Sequence, residues 1–233
     1  MTPPIDDPEA IRSILGTTEA LLLDFDGPVC SVFAGLPAPV VADQLRDILP
    51  GSGQNIPDDV RDSADPFDVL FYAVKLGPSE GRYVEAAFRA HEVEAVQSAE
   101  PTPGAHELIR TWKAANRSLA IVSNNSESAI ETYLDFHGLR GGVDLISARR
   151  NADLHLIKPN KHLVTSAAQA LGASPADCTF VGDSLTDAEA ANAARVRFIA
   201  YVNKPGKMEG FMSGDLDAIT TTVSLLTAFV AGA

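Results

Sequence analysis

The sequence predicts an α/β fold, a parallel-sheet core with a small helical segment inserted after the first strand. Three observations carry this expectation. Short apolar runs such as Leu21-Leu22-Leu23 and Leu119–Val122 read as strands buried on both faces. From Pro101 onward such runs alternate with helix-length segments, which implies right-handed βαβ units and a sheet covered on both sides. Between Val32 and Glu100 the pattern is helical throughout, with no convincing strand.

The elements follow in order. Asp6 or Asp7 can cap a first helix, with Pro8 in its first turn, ending near Gly16. The strand Leu21–Asp24 comes next and is broken by Gly27-Pro28. Within the insert, helices are expected over Pro37–Leu49, Pro66–Leu76 and Ser79–Gln97. A Gly/Pro-rich loop over Gly51–Asp59 separates the first two. Gly51-Ser52-Gly53 lacks the Gly-Lys-Ser/Thr ending of a phosphate-binding loop. The core then continues with a helix over Pro103–Asn116, for which Thr102 is the candidate cap, and the strand Leu119–Val122. Helix Ser126–His137, strand Val143–Ile146 and helix Lys161–Leu171 come next. Strand Cys178–Val181, helix Leu185–Ala194 and strand Val196–Ala200 follow. A short strand at Ala218–Ile219 and a helix around Val223–Val230 close the chain.

Composition narrows the function classes. The 233 residues suit one large domain, or a core with an insertion, and 45% hydrophobic residues can fill a sizeable core. A net charge of −13 argues against sequence-independent nucleic-acid binding and against docking on anionic membranes. An anionic small molecule remains a possible ligand if positive charge is focused locally. Two cysteines give no disulfide framework and fit a reducing compartment. The Met1-Thr2-Pro3-Pro4 start shows no signal peptide, and no apolar run approaches the roughly 20 residues of a membrane span. The expected location is the cytoplasm.

Polar residues of complementary type stand where the predicted strands end. Asp24 and Asp26 are two apart in an extended segment, so both carboxylates can face one site. Ser123-Asn124 follows the second core strand. Gly182-Asp183-Ser184, with Asp187 four residues after Asp183, follows another. Lys158-Pro159 precedes a helix. Ligands of open parallel sheets bind outside the carboxyl ends of the strands, so a central first strand brings these residues together. Asp24, Asp26, Asp183 and Asp187 would then share a small volume, where like charges about 4 Å apart repel by roughly 4 kcal/mol per pair at an effective dielectric near 20. Either some stay protonated or a divalent cation sits among them. An all-oxygen donor set favours Mg²⁺ over Zn²⁺. One lysine, one serine hydroxyl and backbone N–H groups complete a site suited to a phosphoryl group.

These four motifs, Asp24-Phe25-Asp26-Gly27, Ile121-Val122-Ser123-Asn124, Lys158-Pro159 and Gly182-Asp183-Ser184 with Asp187, resemble those of the haloacid dehalogenase superfamily. Within it, the chain is similar to the Mg²⁺-dependent phosphatases of the phosphoglycolate-phosphatase and β-phosphoglucomutase type. The resemblance covers roughly residues 15–31 and 100–233. It implies a Rossmann-like core (1–31 and 100–233) and a helical cap (32–99), although no cap residue is matched individually. It also implies Mg²⁺-dependent hydrolysis of a small phosphorylated metabolite through an aspartyl-phosphate, by a monomer or homodimer. Asp24 would be the nucleophile. Asp26 would protonate the leaving alcohol and then activate water. Ser123 and Lys158 would hold the phosphoryl oxygens, with Asn124 and Gly27 adding contacts. Asp24, the backbone carbonyl of Asp26, and Asp183 would hold the metal, with Asp187 in its outer shell. The family usually has Thr where Pro28 stands, and Pro28 removes one backbone N–H from the loop.

Each residue also has a plainer reading. Ser123 can cap the following helix, Asp187 can complement a helix dipole, and Lys158 can be a solvated loop lysine. Cys30 and Cys178 read as small buried hydrophobes. The five histidines show no ligand spacing. Lys75 and Arg82 of the insert read as surface charge, with substrate contact the sharper alternative. At the level of the whole chain, the alternatives are a phosphomutase, a non-catalytic metabolite-binding regulator and, more distantly, a carbon–halogen hydrolase.

Overall fold

A computed structural model of the chain describes residues 3–49, 56–212 and 214–230. The glycine-rich stretch Gly51-Ser52-Gly53, and with it the predicted loop up to residue 55, lies outside the described residues.

Helix α1 (Pro8–Gly16) starts at Asp7, whose carboxylate accepts from the Glu9 and Ala10 N–H groups at 2.9 and 3.1 Å. Strand β1 (Ala20–Leu23) follows, then the two-residue β2 (Cys30–Ser31). The insert holds α2 (Ala38–Asp47), α3 (Asp58–Arg61), α4 (Pro66–Leu76) and α5 (Pro78–Ala95). It returns through β3 (Glu100–Pro101), which pairs antiparallel with β2. Next come α6 (Ala105–Ala114), β4 (Ser118–Ser126), α7 (Glu127–Phe136), β5 (Leu145–Arg149) and α8 (His162–Ala170). The last elements are β6 (Cys178–Gly182), α9 (Leu185–Ala194), β7 (Arg197–Tyr201), α10 (Met208–Met212), β8 (Ala218–Thr220) and α11 (Val223–Val230).

Six strands form one parallel sheet in the order β5-β4-β1-β6-β7-β8. β1 is central, and Leu23 lies level with Ile121 of β4 and Val181 of β6. Its three leucines are needed because both faces are covered. Leu21 and Leu23 enter a core with Ile11, Trp112 and Tyr133, while Leu22 points the other way into a core with Val122, Phe180 and Ala191. Each such side chain is worth ~1.5–3 kcal/mol on full burial. The insert has its own cluster, built on Val41, Leu45, Val69, Leu70, Val84 and Phe88. α5 belongs to both regions, since Val84 and Phe88 sit in that cluster and Ala95 sits in the core of the sheet.

Several local expectations change. β4 runs four residues past Val122, and its pairing with β5 shifts register between Ser123 and Ser126. Apolar periodicity misses that extension because its last four residues are polar. Ser126, and not Ser123, caps α7, accepting the Ala129 N–H. Thr102 is not a helix cap: its hydroxyl donates to the Gly27 carbonyl at 2.5 Å, and α6 begins after Gly104 without a side-chain cap. The β2–β3 pair and the short α3 and α10 are too brief to give a periodic signal.

Candidate active site

The β1 strand delivers Asp24 directly onto the sheet's carboxyl edge, where the Asp24 N–H still donates to the Val181 carbonyl at 2.9 Å. The chain then turns sharply. Val29 and Cys30 N–H groups donate to the Phe25 carbonyl at 3.2 and 3.1 Å, and Gly27 N–H donates to the Cys30 carbonyl at 2.7 Å. Those bonds close the loop without an N–H at Pro28. Gly27 is required twice over. Its φ is +112°, and a Cβ there would lie 2.5 Å from the Asp183 carboxylate.

Asp24, Asp183 and Asp187 each offer a carboxylate oxygen within 4.8 Å of the others, and all three are buried. Lys158 stands among them, with Nζ 2.7 Å from Asp24 Oδ1, 2.6 Å from Asp187 Oδ1 and 3.1 Å from the Val122 carbonyl. Asp187 is also held from below. Its Oδ2 accepts the N–H groups of Asp183 and Ser184 at 3.1 and 3.0 Å and the Ser184 hydroxyl at 2.6 Å, forming the capping box of α9. Asp183 pairs with Lys207, which stands between β7 and α10. Asp26 faces the same cleft but is not one of the three clustered carboxylates; its Oδ1 accepts the Val32 N–H at 2.9 Å.

Asn124 and Lys158 are tied reciprocally. Lys158 N–H donates to Asn124 Oδ1 at 2.8 Å, and Asn124 Nδ2 donates to the Lys158 carbonyl at 3.0 Å. Ser123 donates from Oγ to Asn125 Oδ1 at 3.1 Å. Asp24, Asp26, Ser123, Asn124, Lys158 and Asp183 line a cleft of about 450 Å³ together with Asp65, Phe67 and Phe71 of the insert. Among the described residues, neither Lys75 nor Arg82 lines it.

The electrostatics follow from burial. Asp24 is pushed up to about 7, chiefly by loss of water and then by Asp187 and Asp183, with Lys158 opposing. Asp26 is pushed up to about 6, again chiefly by burial. Burial alone would lower Lys158, but Asp187 and Asp24 outweigh it and hold the ammonium charged. Burial also raises Asp183, against the pull of Lys207. Carboxylates outnumber cations here. An all-oxygen set of three converging carboxylates fits a hard divalent cation.

Sequence reasoning missed a second ionic group beside this one. Arg149, at the end of β5, donates from Nη1 to Glu85 Oε1 at 2.6 Å, pairs through Nη2 with Glu92, and donates from Nε to the Asn124 carbonyl at 3.0 Å. Glu92 in turn accepts Asn125 Nδ2 and the Ser126 N–H, both at 3.1 Å. The segment 123–126 is therefore clamped where its ladder is irregular. Glu85 and Glu92 are seven apart on α5, and Phe88 between them is buried on the same face. That spacing was the available signal.

The haloacid dehalogenase-like hydrolase family matches residues 18–195. The bifunctional riboflavin kinase/FMN phosphatase of Arabidopsis thaliana is 32% identical over 114 residues, which is 48% of this chain and 30% of that protein's length. In fold, CbbY from Rhodobacter sphaeroides, solved with phosphate, is similar with a TM-score of 0.67 at 17% identity, covering 89% of this chain and 95% of that one. β-Phosphoglucomutase from Clostridium difficile is similar with a TM-score of 0.64 at 15% identity, covering 89% and 92%. With the family match spanning both acidic motifs and the lysine between them, the chain belongs to the haloacid dehalogenase-like hydrolases.

Proposed function

We propose that the chain is a Mg²⁺-dependent phosphatase that hydrolyses a small phosphate monoester through an aspartyl-phosphate. The observation that carries this reading is the convergence of Asp24, Asp183 and Asp187 within 4.8 Å around a single buried ammonium, Lys158. The likeness to the Arabidopsis relative, a bifunctional riboflavin kinase/FMN phosphatase, supports it. Asp24, the Asp26 carbonyl and Asp183 would hold the cation, with Asp187 behind them. When bound, the cation neutralises charge on the phosphoryl oxygens and on the attacking carboxylate.

The chain's own residues account for the rest. An Asp24 oxygen attacks phosphorus, and the bond from phosphorus to the ester oxygen breaks. Asp26, held near neutral pH by burial, gives its proton to the departing alkoxide. The Asp26 carboxylate then takes a proton from water as that water attacks the same phosphorus. The acyl-phosphate P–O bond breaks, inorganic phosphate leaves, and Asp24 is regenerated. Lys158 and Ser123 hold phosphoryl oxygens. Asn124 fixes the Lys158 backbone so that its ammonium stays aimed at Asp24. The helical insert serves as the cap, limiting water in the cleft.

A phosphate-release screen over small phosphomonoesters, with Mg²⁺ and with EDTA, tests the reading beside Asp24→Asn. Release confined to the Mg²⁺ arm and absent in the variant is the expected result. Full release by Asp24→Asn would refute the mechanism.

A further inference from the structure

The part of the cleft lining that comes from α4 differs chemically from the part that comes from the strand ends. α4 presents Phe67 and Phe71, four apart and therefore on one helix face, with Asp65 at the helix start. Phe71 is 39% exposed. One exposed phenylalanine on a surface is ordinary, but this one shares with Phe67 the cleft that Asp24, Asp26 and Asp183 also line. Asp65 brings a carboxylate whose Oδ1 already accepts the Phe67 N–H at 2.9 Å. The hydroxyl-bearing Ser184 and Thr186 line the same cleft.

Charge is distributed just as unevenly. Among the described residues lining the cleft, Lys158 is the one cation, against Asp24, Asp26, Asp65 and Asp183. Lys158 is engaged by Asp24 and Asp187, and nearby Lys207 by Asp183, while the exposed Lys204 acts with Lys207 on Asp26 and belongs to the segment after β7, not to α4. Nothing on the α4 wall can neutralise a second anion. A carboxylate or second phosphate placed against α4 would meet Asp65 and two phenyl rings, a like charge and no cation. A flat uncharged group would instead cover the rings, with its polar edge toward Ser184 and Thr186.

We infer that the cleft takes phosphate monoesters whose alcohol bears no second anion and presents a flat, apolar or aromatic face to Phe67 and Phe71. The inference rests on the phosphatase reading above and names the substrate class of that site. It disfavours phosphorylated hydroxy acids and bisphosphates.

The test compares phenyl phosphate with 4-carboxyphenyl phosphate, which differ by one carboxylate, and with ethyl phosphate, which lacks the ring. The full chain is assayed with Mg²⁺, alongside Asp65→Lys and Phe71→Ala. The added carboxylate is expected to lower kcat/KM by about tenfold or more, expressed in KM, and Asp65→Lys should recover most of that loss. Phe71→Ala should raise KM for phenyl phosphate several-fold and so reduce the preference for phenyl over ethyl phosphate. Equal kcat/KM for the two aryl esters, or a preference for the carboxylate, overturns the substrate class and leaves the hydrolase reading standing. No release from any of the three esters overturns both.

Discussion

The Arg149 cluster and the Asp24 cluster both bury one cation among carboxylates, yet only the first is closed. Arg149 is matched by Glu85 and Glu92, donates to the Asn124 carbonyl, and lies over the Phe88 ring at 4.9 Å. The remaining Glu92 capacity is filled by Asn125 and Ser126. Every member has its partners, so the group behaves as a structural rivet between α5 and the turn after Val122. The Asp24 cluster sets Lys158 against Asp24 and Asp187, with Asp183 paired to the half-buried Lys207, and opens onto a cleft. Its excess negative charge is a stability cost, the kind of cost that collects at functional sites, and it is what the proposed phosphatase function would use. Satisfied buried charge fixes geometry, and unsatisfied buried charge marks the chemistry.

The largest effect should come from opening the closed cluster. Arg149→Ala leaves two buried glutamates uncompensated and is expected to cost ~3–5 kcal/mol in urea unfolding. Glu85→Gln removes one of two carboxylate partners and should cost less, about 1–2 kcal/mol.

The open cluster should respond with the opposite sign. Asp24→Asn removes one of the crowded acids, so the metal-free protein at pH 7 should gain roughly 1–2 kcal/mol, part of the relief being lost because Lys158 gives up a charged partner. The pH dependence follows. Asp24 near 7 and Asp26 near 6 in the folded protein lie above the ordinary 3.8. A raised folded value means that folding favours the protonated form. This contribution is therefore intact below about pH 4 and lost as pH rises through 6 and 7. In EDTA, Tm should fall across that window in the wild type and fall less in Asp24→Asn. The smallest effect in the set is Mg²⁺ protection at a modest concentration, since 3 Kd of ligand adds about 0.8 kcal/mol. It should be reduced in Asp183→Asn and preserved in Glu85→Gln.

The two clusters also differ in how legible they were. Asp24, Asp26, Asp183 and Asp187 sit within a few residues of buried apolar runs, so the strand end itself announces them. The parallel sheet and most helices were visible for the same reason: their periodicity is local. The Arg149 cluster joins three distant segments, and Arg149-Arg150 looks in sequence like any exposed basic pair. Arg150 does behave so, pairing at the surface with Glu127. Which of two adjacent arginines turns inward depends on the register of β5 beside β4, and that is a long-range property. The cleft wall of Asp65, Phe67 and Phe71 was hidden likewise, because α4 was recognised as a helix without knowledge of what it faces.

The most direct test of the central claim uses Asp26→Asn, incubated with Mg²⁺ and 4-nitrophenyl phosphate, whose leaving group departs without a proton. Intact-mass and peptide analysis should find one phosphoryl group held on Asp24, because the residue that would activate water is gone. A protein that turns over at the wild-type rate, or carries the phosphoryl group on any other residue, would contradict the assignment of Asp24 as nucleophile and Asp26 as its acid and base.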